Sequence, residues 1–211
     1  MYKWLLIAVV LFSSLVDANT PASKETDIEL FKARLDSIQS LSGDFQQSIV
    51  DNTGQAIQED STGTFTIKRP GYFLWESKEP FSQVVVGTPE ETKIYDPDLE
   101  QLTIYSKGTS DPNNPANLLT GNVSSLKATF NIKHIQQSGL EQFELIPIDS
   151  GETYAKIMFE FSGNNLRSLK FWDKLDQKTD INFSKLKLND KVSVQVFEFI
   201  APAGTDIIRN E

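Results

Sequence analysis

The 211-residue chain has no cysteine, one histidine, two methionines and four arginines, Arg34, Arg69, Arg167 and Arg209. Without cysteine there is no disulfide scaffold, no thiolate metal site, no thiol nucleophile and no lipid anchor attached through an N-terminal cysteine. Basic side chains are few: 20 lysines and arginines face 29 aspartates and glutamates, a formal net charge of −9. That balance excludes the basic stripe with which a nucleic-acid binder displaces counterions from phosphates. The chain also lacks a Gly-x-Ser-x-Gly elbow, a Gly-rich phosphate loop and a His-Glu-x-x-His pair. What it has in quantity is apolar surface to bury, 39% hydrophobic residues including fourteen phenylalanines, too much for a disordered chain. Its length suits a single domain.

Residues 1–18 read as a cleaved secretory signal peptide, and residues 19–211 as one domain. Lys3 supplies the positive start, Trp4 to Val16 the apolar stretch, and Val16-Asp17-Ala18 a small-residue cleavage site. The apolar run is shorter than the roughly 20 residues a membrane-spanning helix needs. Cleavage near Ala18 makes the mature protein an exported one.

From Thr26 to about Ser42, Ile28, Phe31, Leu35, Ile38 and Leu41 recur at helical spacing. Thr26 and Glu29 suit a capping box, and Gly43 stands where a C-terminal glycine would end the helix. Beyond Asp44 the period changes to two, in about eleven short segments running from Phe45 to Ile200. Turn signals such as Asn52-Thr53-Gly54, Pro70-Gly71 and Gly163-Asn164-Asn165 separate them. Short connections without crossover helices predict an antiparallel meander. Lys107 to Gly121 departs from this pattern and reads as a loop opening a short helix near Pro115. A curved sheet with one long helix and one short helical insertion leaves a sheet face that both can cover.

Candidate chemistry is sparse. His134 lies in the alternating segment Phe130 to Ile135 and reads as a strand histidine facing solvent or the rim. Asp96 with Asp98, Glu90 with Glu91, and Asp173 with Asp176 could serve a glycosidase-like hydrolase, but each pair lies in a turn, where aspartate bonds its own backbone. No catalytic residue, metal ligand or cofactor is assigned.

The segment Arg69-Pro70-Gly71-Tyr72-Phe73-Leu74-Trp75, followed by Pro80 and by Tyr95-Asp96-Pro97-Asp98, resembles the periplasmic outer-membrane lipoprotein carrier family, LolA. The resemblance extends over nearly the whole mature chain, through Leu30 to Leu41, Phe45-x-Gln47, Gly63-x-Phe65, Pro115 to Leu119, Phe143-x-Leu145-x-Pro147 and Phe197-x-Phe199-x-x-Pro202-x-Gly204. It departs from the family at Gly71 and Leu74, where a polar residue or asparagine is common.

The resemblance implies a mainly β fold with some α: an incomplete, strongly curved antiparallel β-barrel with an apolar concave face under a lid of short helices. It implies a monomeric periplasmic chaperone of a Gram-negative bacterium. Such a protein takes acylated lipoproteins as cargo from an inner-membrane ABC transporter complex and passes them to an outer-membrane receptor lipoprotein. That receptor carries a lipid-modified cysteine, so a cysteine-free chain corresponds to the soluble carrier. Arg69 maps onto the family's lid-closing arginine. Leu35, Phe73 and Trp75, with Phe65 and Leu118, are the acyl-chain cavity residues expected here. The alternatives are a carrier of another apolar ligand such as free lipid on the same curved sheet, or a carboxylate-based secreted hydrolase.

Overall fold

The computed structural model describes residues 24–106, 119–120, 128–149, 151 and 153–210. The segment read as a signal peptide and most of the Lys107 to Gly121 insertion, Leu118 included, lie outside the described residues. Helix α1 (Lys24–Asp36) opens the described chain and leads into β1 (Ser40–Val50), β2 (Ser61–Lys68), β3 (Tyr72–Glu79), β4 (Gln83–Gly87), β5 (Glu91–Asp96) and β6 (Gln101–Ser106). Then come β7 (Phe130–Gln137), β8 (Leu140–Pro147), β9 (Tyr154–Ser162), β10 (Asn165–Asp173), β11 (Lys178–Leu188), a single 3₁₀ turn (Val194–Phe197) and β12 (Asp206–Asn210). The twelve strands form one sheet in the order β12-β6-β5-β4-β3-β2-β1-β11-β10-β9-β8-β7. No helix among the described residues is long and apolar enough to cross a membrane.

The sheet must curl. Phe31 of α1 packs on Phe143 of β8 and Phe159 of β9, with ring centroids 5.0 and 4.9 Å away. One turn later, the Leu35 carbonyl is bonded by Arg69, directly after β2. Strands β2 and β8 stand five places apart in the sheet, roughly 24 Å if it were flat, whereas four helical residues advance only about 6 Å. Curvature brings both flanks to the helix, and β7 and β12 remain as open edges. The result is the incomplete barrel that the resemblance implied.

Period-2 alternation aims one apolar side of the strands at α1. Phe45, Phe65, Phe73, Trp75, Phe143, Phe159, Leu169 and Ile181 join Phe31, Leu35 and Ile38 in a single buried cluster. Glu160, the one buried charge among the described residues, neighbours Phe159 and so points to the other face. Glycine makes room at two inner positions. A Cβ on Gly63 would lie 2.7 Å from the Phe45 ring, and one on Gly87 would lie 2.0 Å from a carbon of the Phe73 ring. Gly87→Val should therefore displace Phe73 and lower stability by about 1–3 kcal/mol, read as a reduced urea midpoint at unchanged slope. A wild-type midpoint would mean that the ring does not need the space.

Four local expectations are corrected. The helix ends at Asp36 rather than Ser42, because the Asn189 side chain captures the chain as it leaves: Oδ1 accepts from the Gln39 and Ser40 amides at 2.7 and 3.3 Å. Ile38 and Leu41 stay buried, but not as helical residues. Gly43 does not terminate a helix; it sits in β1 at a bulge against β11, where a Cβ would lie 2.6 Å from the Ser184 carbonyl. Thr26 lies inside α1 rather than at its cap. The segment from Val194 to Ile200 is a 3₁₀ turn and extended chain instead of a strand. It crosses the outer face, burying Phe197 against Tyr72 at 5.4 Å and setting Phe199 beside Tyr95 at 5.2 Å. The chain then adds β12 parallel to β6, so the sheet is not wholly antiparallel.

Candidate functional site

The turn Arg69-Pro70-Gly71 joins β2 to β3 at the same rim as the end of α1 and the end of β11. Gly71 has φ +79°, the left-handed region that glycine adopts at least cost. Its N–H donates to the Thr120 carbonyl at 3.2 Å, while Leu119 is buried in the inner cluster. Residues 119–120 therefore dock on this corner.

Arg69 fastens the helix. Its main-chain N–H donates to the Gln39 carbonyl at 2.9 Å. Its Nη1 donates to the Leu35 carbonyl at 2.9 Å, and Nη2 lies 3.9 Å from Asp36 Oδ1. Leu35 belongs to the last turn of α1, where carbonyls lack i+4 partners. Ile38 N–H supplies one bond to that oxygen, and the arginine takes the other side of it. The Arg69 side chain is only 11% exposed. Burial pushes its guanidinium below its ordinary pKa, with the Asp36 carboxylate opposing that shift. Holding the helix down thus carries a desolvation cost that offsets part of the bonding gain.

Beneath the fastened turn, Leu35, Phe65, Phe73 and Trp75 share the inner cluster, with exposures of 7% or less. Trp75 stacks on Phe45 at 4.1 Å and is flanked by Phe65 at 5.6 Å and Phe183 at 6.4 Å. These expected cavity residues are brought together; Leu118 lies outside the described residues, next to the buried Leu119. Open clefts lie at the rims: about 450 Å³ beside Arg69, Lys68 and Lys191, about 460 Å³ beside Arg34 and Glu141, and about 290 Å³ at the far rim between Ile49, Tyr154 and Phe171.

Of the carboxylate pairs considered for hydrolysis, those of Asp96 and Asp173 serve their own turns, while Glu91 pairs with Lys93 at 2.9 Å. Asp96 Oδ1 accepts from the Asp98 and Leu99 amides, and Asp173 Oδ1 accepts from those of Leu175 and Gln177. Among the described residues no group of three or more histidine or acidic side chains could hold a metal ion. His134 is a rim histidine, stacked on Phe143 at 4.9 Å with Nε2 3.1 Å from Glu141 Oε1. Sequence reasoning missed Asn189, Glu141 and Phe183. Asn189-Asp190 has the composition of an ordinary turn, and nothing local marks the other two.

Residues 36–200 match the family model described as "Outer membrane lipoprotein carrier protein LolA". The outer-membrane lipoprotein carrier protein of Chromohalobacter salexigens is 32% identical over 208 residues, covering 99% of this chain and 97% of the relative. That of Azotobacter vinelandii is 33% identical over 205 residues, covering 97% and 99%. Among solved structures, a conserved protein from Thermus thermophilus shares the fold, with a TM-score of 0.53 at 13% identity over 86% of this chain and 99% of that one. With a family match over residues 36–200 and relatives 32–33% identical over nearly the full length of both chains, this chain belongs to the outer membrane lipoprotein carrier family, LolA.

Proposed function

We propose that this protein is a periplasmic chaperone that holds the acyl chains of lipoproteins released from the inner membrane and delivers them to an outer-membrane receptor. The observation that carries the proposal is the placement of α1: it lies on an uncharged, aromatic-lined concave face and is fastened there by side-chain hydrogen bonds. Burying one methylene group is worth about 0.8 kcal/mol, so a chain of about sixteen carbons is worth on the order of 12 kcal/mol before ordering costs. Cargo held with all of that energy would not leave. A lid that re-covers the same face when cargo departs offsets part of it, and the bond from Arg69 to Leu35 is of the right kind for that purpose. In this reading the donor is the inner-membrane ABC transporter complex, the acceptor is the receptor lipoprotein, and the protein acts as a carrier rather than as an enzyme.

Photo-crosslinkers test which face meets cargo. Placed at Leu35 and Phe73, on the inner face, they should capture acylated lipoprotein. Placed at Leu74, which pairs with Val86 on the outer face, they should capture little. Capture from Leu74 alone would overturn the assignment. Mass spectrometry of protein purified from the periplasm separates the carriers: bound lipoprotein supports the proposal, and free lipid supports the other apolar-ligand reading.

A further inference from the structure

Arg34 and Leu35 are consecutive residues of α1, and the curved sheet grips them from opposite flanks. Leu35 is held by Arg69 from the β2–β3 turn. Arg34 reaches the other way. Its Nε donates to Glu141 Oε2 at 2.5 Å, at the start of β8, and its Nη1 donates to Asn164 Oδ1 at 3.1 Å, in the β9–β10 turn. The second oxygen of Glu141 is engaged by His134, whose ring is fixed by stacking on Phe143. Glu141 is thereby oriented from behind and presented to the helix. Its side chain is 12% exposed and that of Arg34 is 32% exposed, so the pair is partly desolvated and less screened than a surface ion pair. The cleft of about 460 Å³ that it borders, beside Ala33 and Ser37, leaves it open to solvent and to an approaching side chain.

We infer that Arg34 and Glu141 form a second latch on α1, with Glu141 as the positioning residue, so that lifting the helix from the concave face requires both flanks to let go. The inference rests on the lid role proposed above. With the Arg69 bond alone broken, the last turn of α1 stays tied to β8, and the helix pivots about that tie. With the Glu141 tie alone broken, it pivots about Arg69. Only loss of both frees the whole inner face.

Because the chain lacks cysteine, two spin labels can be placed cleanly, on Glu29→Cys in α1 and Ser162→Cys at the end of β9, both exposed positions. Distances between them in the cargo-free protein should show Glu141→Gln raising the open population roughly fivefold. Adding Arg69→Leu to Glu141→Gln should multiply the two effects. Adding Arg34→Gln to Glu141→Gln should add much less than Arg34→Gln does in the wild-type protein, because only the Arg34 bond to Asn164 is left to lose. His134→Phe, which keeps the stack on Phe143 but drops the contact with Glu141 Oε1, should open the helix in the same direction as Glu141→Gln and by less. The unfolding midpoint read from tryptophan fluorescence should stay near wild type in Glu141→Gln, as befits a latch rather than a core contact. A wild-type distance distribution in Glu141→Gln, or independent effects of Arg34→Gln and Glu141→Gln, would overturn the inference. If Arg69→Leu opens the helix and Glu141→Gln does not, the lid reading stands and the second latch falls; if neither moves the helix, the lid reading falls as well.

Discussion

Arg69→Leu should release the end of α1 and shift the empty protein toward an open form by about one to two orders of magnitude. The magnitude follows from the bonds lost. Hydrogen bonds to a charged group contribute roughly 1.5–3 kcal/mol each, and the Nη1 bond to the Leu35 carbonyl has no substitute on leucine. Two effects act against the full value. The guanidinium no longer has to be desolvated, and leucine is content in the same apolar surroundings. An apolar fluorescent dye reports the change directly, by binding more tightly to the empty variant than to wild type. Cargo transfer reports the consequence: the variant should load lipoprotein and fail to hand it on at the wild-type rate, because closure no longer competes with the acyl chains. Arg69→Lys should behave closer to leucine than to wild type, since an ammonium keeps the charge but lacks the planar fork that reaches the carbonyl while remaining near Asp36. Wild-type dye affinity and hand-off in Arg69→Leu would end the lid role for this residue.

The second large effect is expected at Trp75. Its ring fills the centre of an aromatic group with Phe45, Phe65 and Phe183, and it is 7% exposed. Trp75→Ala should cost about 3–5 kcal/mol, combining lost burial with a cavity that the curved sheet cannot collapse into. Trp75→Phe, which keeps a ring over Phe45, should cost much less. Urea unfolding followed by far-UV circular dichroism measures both, and a loss below about 1 kcal/mol for alanine would mean that the inner face is already loose enough to absorb the gap. Residues that hold the empty fold together are, in the proposed function, also the ones that must part for cargo. A stable empty form therefore needs packed aromatics on the sheet and a weaker seam toward α1, the element fastened by Arg69 and Arg34.

Much of this architecture could be read along the chain. Alternation at Phe65-Thr66-Ile67 and Phe143-Glu144-Leu145 placed strands correctly, because a period of two reports which side of a strand is covered. Asp96 and Asp173 read as turn residues and are. The helix boundaries were misread for a physical reason. Ile38 and Leu41 continue the apolar spacing of α1, but their burial comes from the loop and from β1, where the Asn189 side chain draws the chain away from the helix. A residue 150 positions further on decides where the helix stops, and no local pattern carries that information. The same holds for β12, whose Ile207 and Ile208 make too short a run to declare a strand until β6 offers its edge.

The sequence by itself determined the class of the molecule: an acidic, cysteine-free, mainly β domain opening on a helix that carries Phe31 and Leu35, no assembled catalytic motif, and an arginine before proline at a strand end. Those properties follow from composition and short-range periodicity, which act residue by residue. Only the tertiary structure decided what each face lies against. Curvature brought β2 and β8 to one helical turn, gave Arg69 the Leu35 carbonyl on one side and Arg34 the Glu141 carboxylate on the other, and laid the C-terminal segment over the outer face. Side-chain period specifies that a surface must be covered, while the identity of the cover depends on which distant segments the curl of the sheet carries within bonding distance.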